Sequence, residues 1–309
     1  MHWSPDGFAK DPAVVRFGGR YFLYHSAYVP GEKPLRIAVA VSDDMENWER
    51  AGYLPLDTEC EKNGNGAPAA LVLGDRVHLF YQTYGNRERD AICHAVSEDG
   101  IRFVKDAGNP VFRPTGSTDP SLPPGRRGWC AGRAIDADVV LFRGRLWLYF
   151  ATRDHEMKRQ MLGVASAPAD SAFSLGNFRE ELAAPILSPE LSWEQECIEA
   201  PAAIEKGGKI WLFYGGAYNC CPQQIGLAVS DDGIRFRRVS DEPFLKNGPP
   251  GSWNASESGH PYVFEDDDGR IWLFYQGSPD GGKTWILSRA ELVFGGDGFS
   301  LHSAPPVSG

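Results

Sequence analysis

The sequence predicts an all-β fold, a five-bladed β-propeller with four antiparallel strands in each blade. Three observations lead there. One pattern recurs five times: a small or acidic residue, a Pro in four of the five copies, an apolar run, a Gly-containing or charged turn, and an aromatic-rich strand. Aligned on residues 12, 68, 137, 201 and 261, the copies step by 56, 69, 64 and 60 residues and fill the chain. No stretch reads as a convincing helix or as an interdomain linker. The length of 309 residues suggests two domains on average, but the repeats replace that count with a single propeller domain over residues 1–309.

The elements follow in order within each copy. The first run ends at a turn written GG, GD, RG, KGG or DDG, which is hairpin chemistry. The second run (YFLYH, HLFYQ, LWLYF, IWLFY, IWLFY) is continuously apolar, as expected of a strand buried on both faces. A third strand follows as LRIAVAVS, AICHAVS, QMLGVASA, QIGLAVS and TWILSRA. A further turn and a fourth strand are clearest in SDDMENWERAG, SEDGIRFVKD and SDDGIRFRRVS, where the Ser-x-Asp segment is read as a hairpin turn. The copies are long for blades, and the excess falls in Gly- and Pro-rich loops such as 105–134 and 241–259.

Composition narrows the function classes. The chain is 42% hydrophobic, enough for a core, and holds 35 Gly and 23 Pro, which implies many turns. With 41 acidic against 31 basic residues the net charge is -10, which argues against a nucleic-acid partner. No window is long and apolar enough for a transmembrane helix, so no membrane partner is expected. The N-terminal MHWSPDGFAKDPAVV lacks a basic segment followed by an apolar one. A cytoplasmic protein is the expectation, or a secreted one if a leader has been removed. The six Cys fit no zinc spacing, and Cys220-Cys221 is expected to stay as free thiols.

In a propeller the first strand of each blade lines the central channel. Reading the copies in register asks which of them place a charge at the channel mouth. Blade 1 has Asp11, blade 3 has Asp136, and blade 4 has Glu199 one position earlier; blade 2 has Gly66-Ala67, and blade 5 has Gly259-His260. A single Asp-Pro is readily explained as a turn or strand cap. Three register-matched carboxylates repel one another and raise at least one pKa, which points to an acid/base pair with a helper.

These residues resemble glycoside hydrolase family 43 and the wider clan of five-bladed propeller glycosidases. Lys10-Asp11-Pro12, Ala134-Ile135-Asp136 and Ile198-Glu199-Ala200-Pro201 carry the likeness. The resemblance implies that Asp11 is the general base, Glu199 the general acid, and Asp136 the carboxylate that orients the acid and raises its pKa. It also implies cleavage of terminal arabinose- or xylose-type sugars from an oligosaccharide, with inversion. No cofactor is required by it, though it implies a calcium ion near the central channel. The chain departs from the family where Ala137 follows Ile-Asp in place of Pro, and where Ala200 stands in place of Gly.

Alternatives within the clan stay open. A retaining β-fructosidase-like enzyme is echoed by Glu196-Cys197, although Glu199 is the residue in register. A mannoside phosphorylase needs a basic phosphate pocket, for which Arg126, Arg127 and Arg133 are the nearby cluster. A non-catalytic sugar-binding propeller is the reading from a different class. For substrate binding the candidates are Trp129, Trp193 and Trp253, in loops before blades 3, 4 and 5, because sugar C–H faces pack on aromatic rings. Arg133, three residues before Asp136, and His260, at the blade 5 start, complete that set. Polar residues after the aromatic strands (His25, Gln82, Arg153 and Gln276) are further candidates for reaching the pocket.

Overall fold

The computed structural model describes residues 1–296 and 298–302. Four sheets are four-stranded meanders: Lys10–Phe17, Arg20–Tyr28, Leu35–Ser42 and Glu49–Tyr53 in blade 1; Asn65–Leu73, Arg76–Thr83, Ile92–Ser97 and Val104–Lys105 in blade 2; Ile135–Phe142, Arg145–Arg153, Gln160–Pro168 and Arg179–Glu180 in blade 3; Ile198–Lys206, Lys209–Gly216, Gln224–Ser230 and Arg237–Arg238 in blade 4. Blade 5 is built from Glu257–Glu265, Ile271–Ser278 and Ile286–Gly295. The last of these pairs with His2–Trp3 through Leu287 and Ser288, and with Gly298–Leu301 further along. Segments from the two chain ends thus share the outer edge of one sheet. Helical structure among the described residues is limited to four short 3-10 turns.

The continuously apolar second strands are buried on both faces, as in Arg20–Tyr28, where all seven interior residues are buried. The core lies between blades. One cluster joins blades 1, 2 and 5, and others join blades 2 and 3, 3 and 4, and 4 and 5. Each buried Leu or Phe contributes on the order of 1.5–3 kcal/mol relative to exposure. Tyrosines of the second strands latch neighbouring blades. Tyr24 donates to the Gly100 carbonyl at 2.8 Å and Tyr149 to the Gly233 carbonyl at 3.0 Å. Those carbonyls belong to the Ser-x-Asp turns. In these turns Asp44, Asp99 and Asp232 each accept backbone N–H groups two and three residues on, so the turn reading of SDDGIRF holds.

Every inner strand carries a bulge at the same register point. Pairing slips between Lys10 and Ala13, Gly66 and Ala69, Ile135 and Asp138, Glu199 and Ala202, and Gly259 and Tyr262. The residue that adopts left-handed backbone is Asp11, Ala67, Asp136, Ala200 or His260, with φ between 42° and 53°. A bulge leaves a backbone N–H outside the ladder, and a buried N–H needs an acceptor. In four of the five the preceding blade supplies one: Gln276 to Asp11, Ser26 to Ala67, Gln82 to Asp136, and Gln223 to His260.

Candidate active site

The bulges turn the strand starts toward one mouth of the channel. There a cleft of about 250 Å³ is lined by Asp11, Asp136, Glu199 and His260 at its floor. Lys10, Arg133 and Arg153 add cations, and Phe8, Tyr28, Tyr84 and Tyr218 form much of the wall. The three register-matched carboxylates are therefore brought together. Glu199 precedes the bulge residue Ala200, which is why it sits one position early in sequence.

His260 joins the set. Its Nδ1 lies 2.8 Å from Asp11 Oδ1, and its Nε2 lies 3.3 Å from Glu199 Oε1. An imidazole that faces a carboxylate at each nitrogen satisfies both only when doubly protonated. Burial opposes that charge, but Asp11, Glu199 and Asp136 outweigh burial and hold the His260 pKa well above its ordinary value. Burial would also raise Asp11; the His260 charge and the Lys10 ammonium overcome it and keep Asp11 below the usual carboxylate range.

Glu199 is the most heavily bonded of the carboxylates. Gln223 Nε2 donates to its Oε1 at 2.7 Å, Asn219 Nδ2 donates at 3.4 Å, and Gln160 Nε2 donates to Oε2. Gln223 reaches it across Gly259, where a Cβ would stand 1.8 Å from Gln223 Oε1, so only glycine fits. Burial raises Glu199, but His260, Gln223 and Lys10 prevail and lower it. Among the described residues, Asp136 has no such donors on its carboxylate. Burial, helped by Glu199 and Asp11 against the opposing charge of His260, pushes it up to about 7. In the free cleft the elevated carboxyl of this pair is therefore Asp136.

Asp136, Glu199 and His260 each present one ligand atom, all within 4.8 Å of one another. Calcium takes six to eight oxygen ligands. Two carboxylates and an imidazole already bridged between carboxylates do not fit direct calcium ligation.

The remaining predicted residues divide. Arg133 lines the cleft. Trp129, Trp193 and Trp253 do not; each packs on its own blade. The Trp193 ring stacks on Tyr214 at 6.0 Å and fills the space above Gly216, where a Cβ would come within 2.1 Å of it. Trp253 sits in the same way beside Tyr275 and Gly277, and Trp129 beside Phe150 and Gly163, with its indole N–H donated to Glu180 at 2.7 Å. These rings were expected to be sugar platforms, and the glycines opposite them explain why they turn inward. Arg126 and Arg127 also lie outside the cleft lining; of the arginines, Arg133 and Arg153 reach it. His25 is buried edge-on against Trp3, away from the cleft lining.

Sequence reasoning missed Gln160, Asn219 and Gln223. A signal was present: the third strands of blades 3 and 4 both begin at a Gln or just after one. In sequence Lys10 stands out only as part of Lys10-Asp11-Pro12. It spans the floor, donating to Asn219 Oδ1 at 3.2 Å with its ammonium 4.2 Å from the Trp285 ring centroid.

The profile of the family described as glycosyl hydrolases family 43 matches residues 5–292. The chain belongs to glycosyl hydrolase family 43. Among curated relatives of this family 43 chain, a beta-1,2-mannobiose phosphorylase from Thermoanaerobacter sp. (strain X514) is 31% identical over 128 residues, 37% of this chain and 40% of the relative. A 1,2-beta-oligomannan phosphorylase from the same organism is 25% identical over 71% of this chain and 67% of the relative. A beta-xylosidase from Xylanibacter ruminicola is 29% identical over 32% of this chain and 27% of the relative. The chain thus spans about two-fifths of the length of the first of these. Among solved structures, a thermostable family-43 glycoside hydrolase superposes with a TM-score of 0.74 at 21% identity, covering 96% of this chain and 93% of that one, which shows the shared propeller fold.

Proposed function

We propose that this family 43 member cleaves a terminal glycosidic bond of an oligosaccharide by a single inverting displacement. Glu199 protonates the leaving oxygen and Asp11 activates the attacking water. One observation carries the reading. His260 holds the two carboxylates on opposite ring nitrogens, at 2.8 and 3.3 Å. An imidazole set between them keeps the two carboxylates apart, as an acid and a base that act on opposite faces of one sugar ring require.

The proton balance fits this division. Asp11, held ionised, is the base. Asp136, elevated to about 7 and within 4.8 Å of Glu199 by ligand-atom distance, stores the proton in the free cleft. When a glycosidic oxygen accepts from Glu199, the protonated form of Glu199 is favoured, and Asp136 is the neighbour that supplies its proton. The route uses side chains of this chain alone.

A cleft of about 250 Å³ suits one sugar ring, so action at a chain end on an arabinose- or xylose-type unit is the reading we favour. A second reading, phosphorolysis, draws support from the two phosphorylase relatives and from the Arg pair in the cleft. The test is a panel of nitrophenyl glycosides against the wild type, Asp11→Asn and Glu199→Gln. Cleavage by the wild type, lost in both variants, with the inverted anomer formed first by proton NMR, is the expected result. If the wild type cleaves nothing and both variants bind sugar as well as it does, the enzymatic reading is wrong.

A further inference from the structure

The cleft carries more positive charge than its acid/base chemistry uses. Lys10, Arg133, Arg153 and His260 line it, against Asp11, Asp136 and Glu199, in a chain whose net charge is -10. His260 is committed to Asp11 and Glu199, and Lys10 to Asn219 and the Trp285 face. The two guanidinium groups are different. Arg133 reaches Asp90 only at 3.5 Å, longer than a strong charge-assisted bond. The other oxygen of Asp90, Oδ1, accepts from Asn86 N–H and the Thr83 hydroxyl. The Nε of Arg133 is buried and has no hydrogen-bond partner.

Arg153 is held by neutral acceptors, Gln160 Oε1 at 2.8 Å through Nε and the Met157 carbonyl at 3.1 Å through Nη1. Its guanidinium carbon lies 5.2 Å from the Tyr218 ring centroid. Among the described residues it appears in no ion pair, although it is half-buried. Largely buried cations are costly unless an anion meets them. A guanidinium fork of fixed orientation matches the paired oxygens of a phosphate or carboxylate.

We propose that Arg133 and Arg153, both contributed by blade 3, form an oxyanion subsite of the cleft. The inference rests on the cleft being the reaction site, as proposed above, and adds a class of ligand to it. The oxyanion has two sources. It is either the carboxylate of a uronate unit of the substrate, which stays intact, or free orthophosphate acting in place of water. In the second case a phosphate oxygen bonds to the anomeric carbon as the glycosidic C–O bond breaks. The electron pair goes to the leaving oxygen, which takes the Glu199 proton. The remaining P–OH proton of the sugar 1-phosphate is then released and recharges Glu199.

The experiment is calorimetric titration of the full chain at pH 7 with orthophosphate and, separately, with glucuronate and galacturonate, using glucose and galactose as neutral controls. Wild type, Arg133→Gln, Arg133→Lys and Arg153→Gln are compared, with circular dichroism confirming the fold of each. One of the oxyanions is expected to bind the wild type, and each Gln variant to weaken it by at least about tenfold. Arg133→Lys is expected to recover only part, because it keeps the charge and loses the fork. Phosphate binding with a sugar 1-phosphate product identifies orthophosphate, acting as nucleophile, as the source; uronate binding with preferential cleavage of nitrophenyl uronides identifies substrate charge. No oxyanion binding, or equal binding in wild type and both Gln variants, overturns the subsite. If neutral nitrophenyl glycosides are cleaved in that event, the glycosidase reading survives alone. If oxyanion binding is lost in the variants while no glycoside is cleaved, the subsite survives and the glycosidase reading fails.

Discussion

Replacing Asp136 by Asn should stabilise the protein at alkaline pH while it abolishes turnover. The carboxyl is buried and pushed up from 3.8 to about 7, chiefly by desolvation. Its folded value therefore lies above its unfolded one. Between about pH 4 and pH 7 the native state keeps a proton that the unfolded chain has released, so stability falls as pH rises through this window. A difference of about 3 pH units corresponds to roughly 4 kcal/mol, an upper figure for what the ionised group costs the fold at pH 8. The amide of Asp136→Asn carries no such charge, and the bond from residue 136 N–H to Gln82 belongs to the backbone and survives. Thermal unfolding followed by circular dichroism should show the variant level with the wild type near pH 4 and higher in Tm by roughly 5 °C or more at pH 8. Activity on a nitrophenyl glycoside should fall by at least about a hundredfold. A Tm difference that is the same at pH 4 and pH 8 would refute the assignment of the elevated proton to Asp136.

Other substitutions separate the remaining roles. Glu199→Gln should lower kcat by about 10²–10⁴ on a poor leaving group and far less on dinitrophenyl glycosides, which need no acid; equal losses on both would argue against Glu199 as proton donor. His260→Gln removes the charge that depresses Asp11, so the Asp11 pKa should rise by about 1–3 units and the acidic limb of the kcat/KM profile should move to higher pH. An unmoved limb in a folded variant would show that His260 does not tune the base. Trp193→Ala should cost about 2–4 kcal/mol by denaturant unfolding, because the ring packs on Tyr214 and Gly216, and should leave KM unchanged; a KM effect without a stability loss would restore its reading as a sugar platform.

Much of the architecture was legible because propeller blades repeat. Asp11, Asp136 and Glu199 could be found by register alone, since the same strand start recurs at the same distance from the same hairpin. The outer edge of blade 5 was not legible: His2–Trp3 pairs with residues 287 and 288, and nothing local in a two-residue strand announces so distant a partner. The loop tryptophans were misread for a related reason. An isolated Trp in a loop gives no direction, and the deciding residues are glycines in strands far along the chain, Gly163, Gly216 and Gly277. Gln160 and Gln223 were not legible because they lie on or just before third strands, outside the register of the inner strands. The direction of the Asp136 and Glu199 shifts was out of reach of sequence, as it depends on which carboxylate receives the side-chain amides.

The five bulges have a consequence for how such a protein changes over evolutionary time. At four of the five strand starts the left-handed turn is supported by the neighbouring blade through the backbone, whatever side chain sits there: Asp at two positions, His at one and Ala at one. Framework and chemistry are therefore separable. Ala67 and Ala200 are blank seats around a ring whose other seats hold reactive groups, and a new polar residue at either would arrive already aimed at the axis. A lineage could exchange its reagents one seat at a time without redesigning the scaffold that presents them.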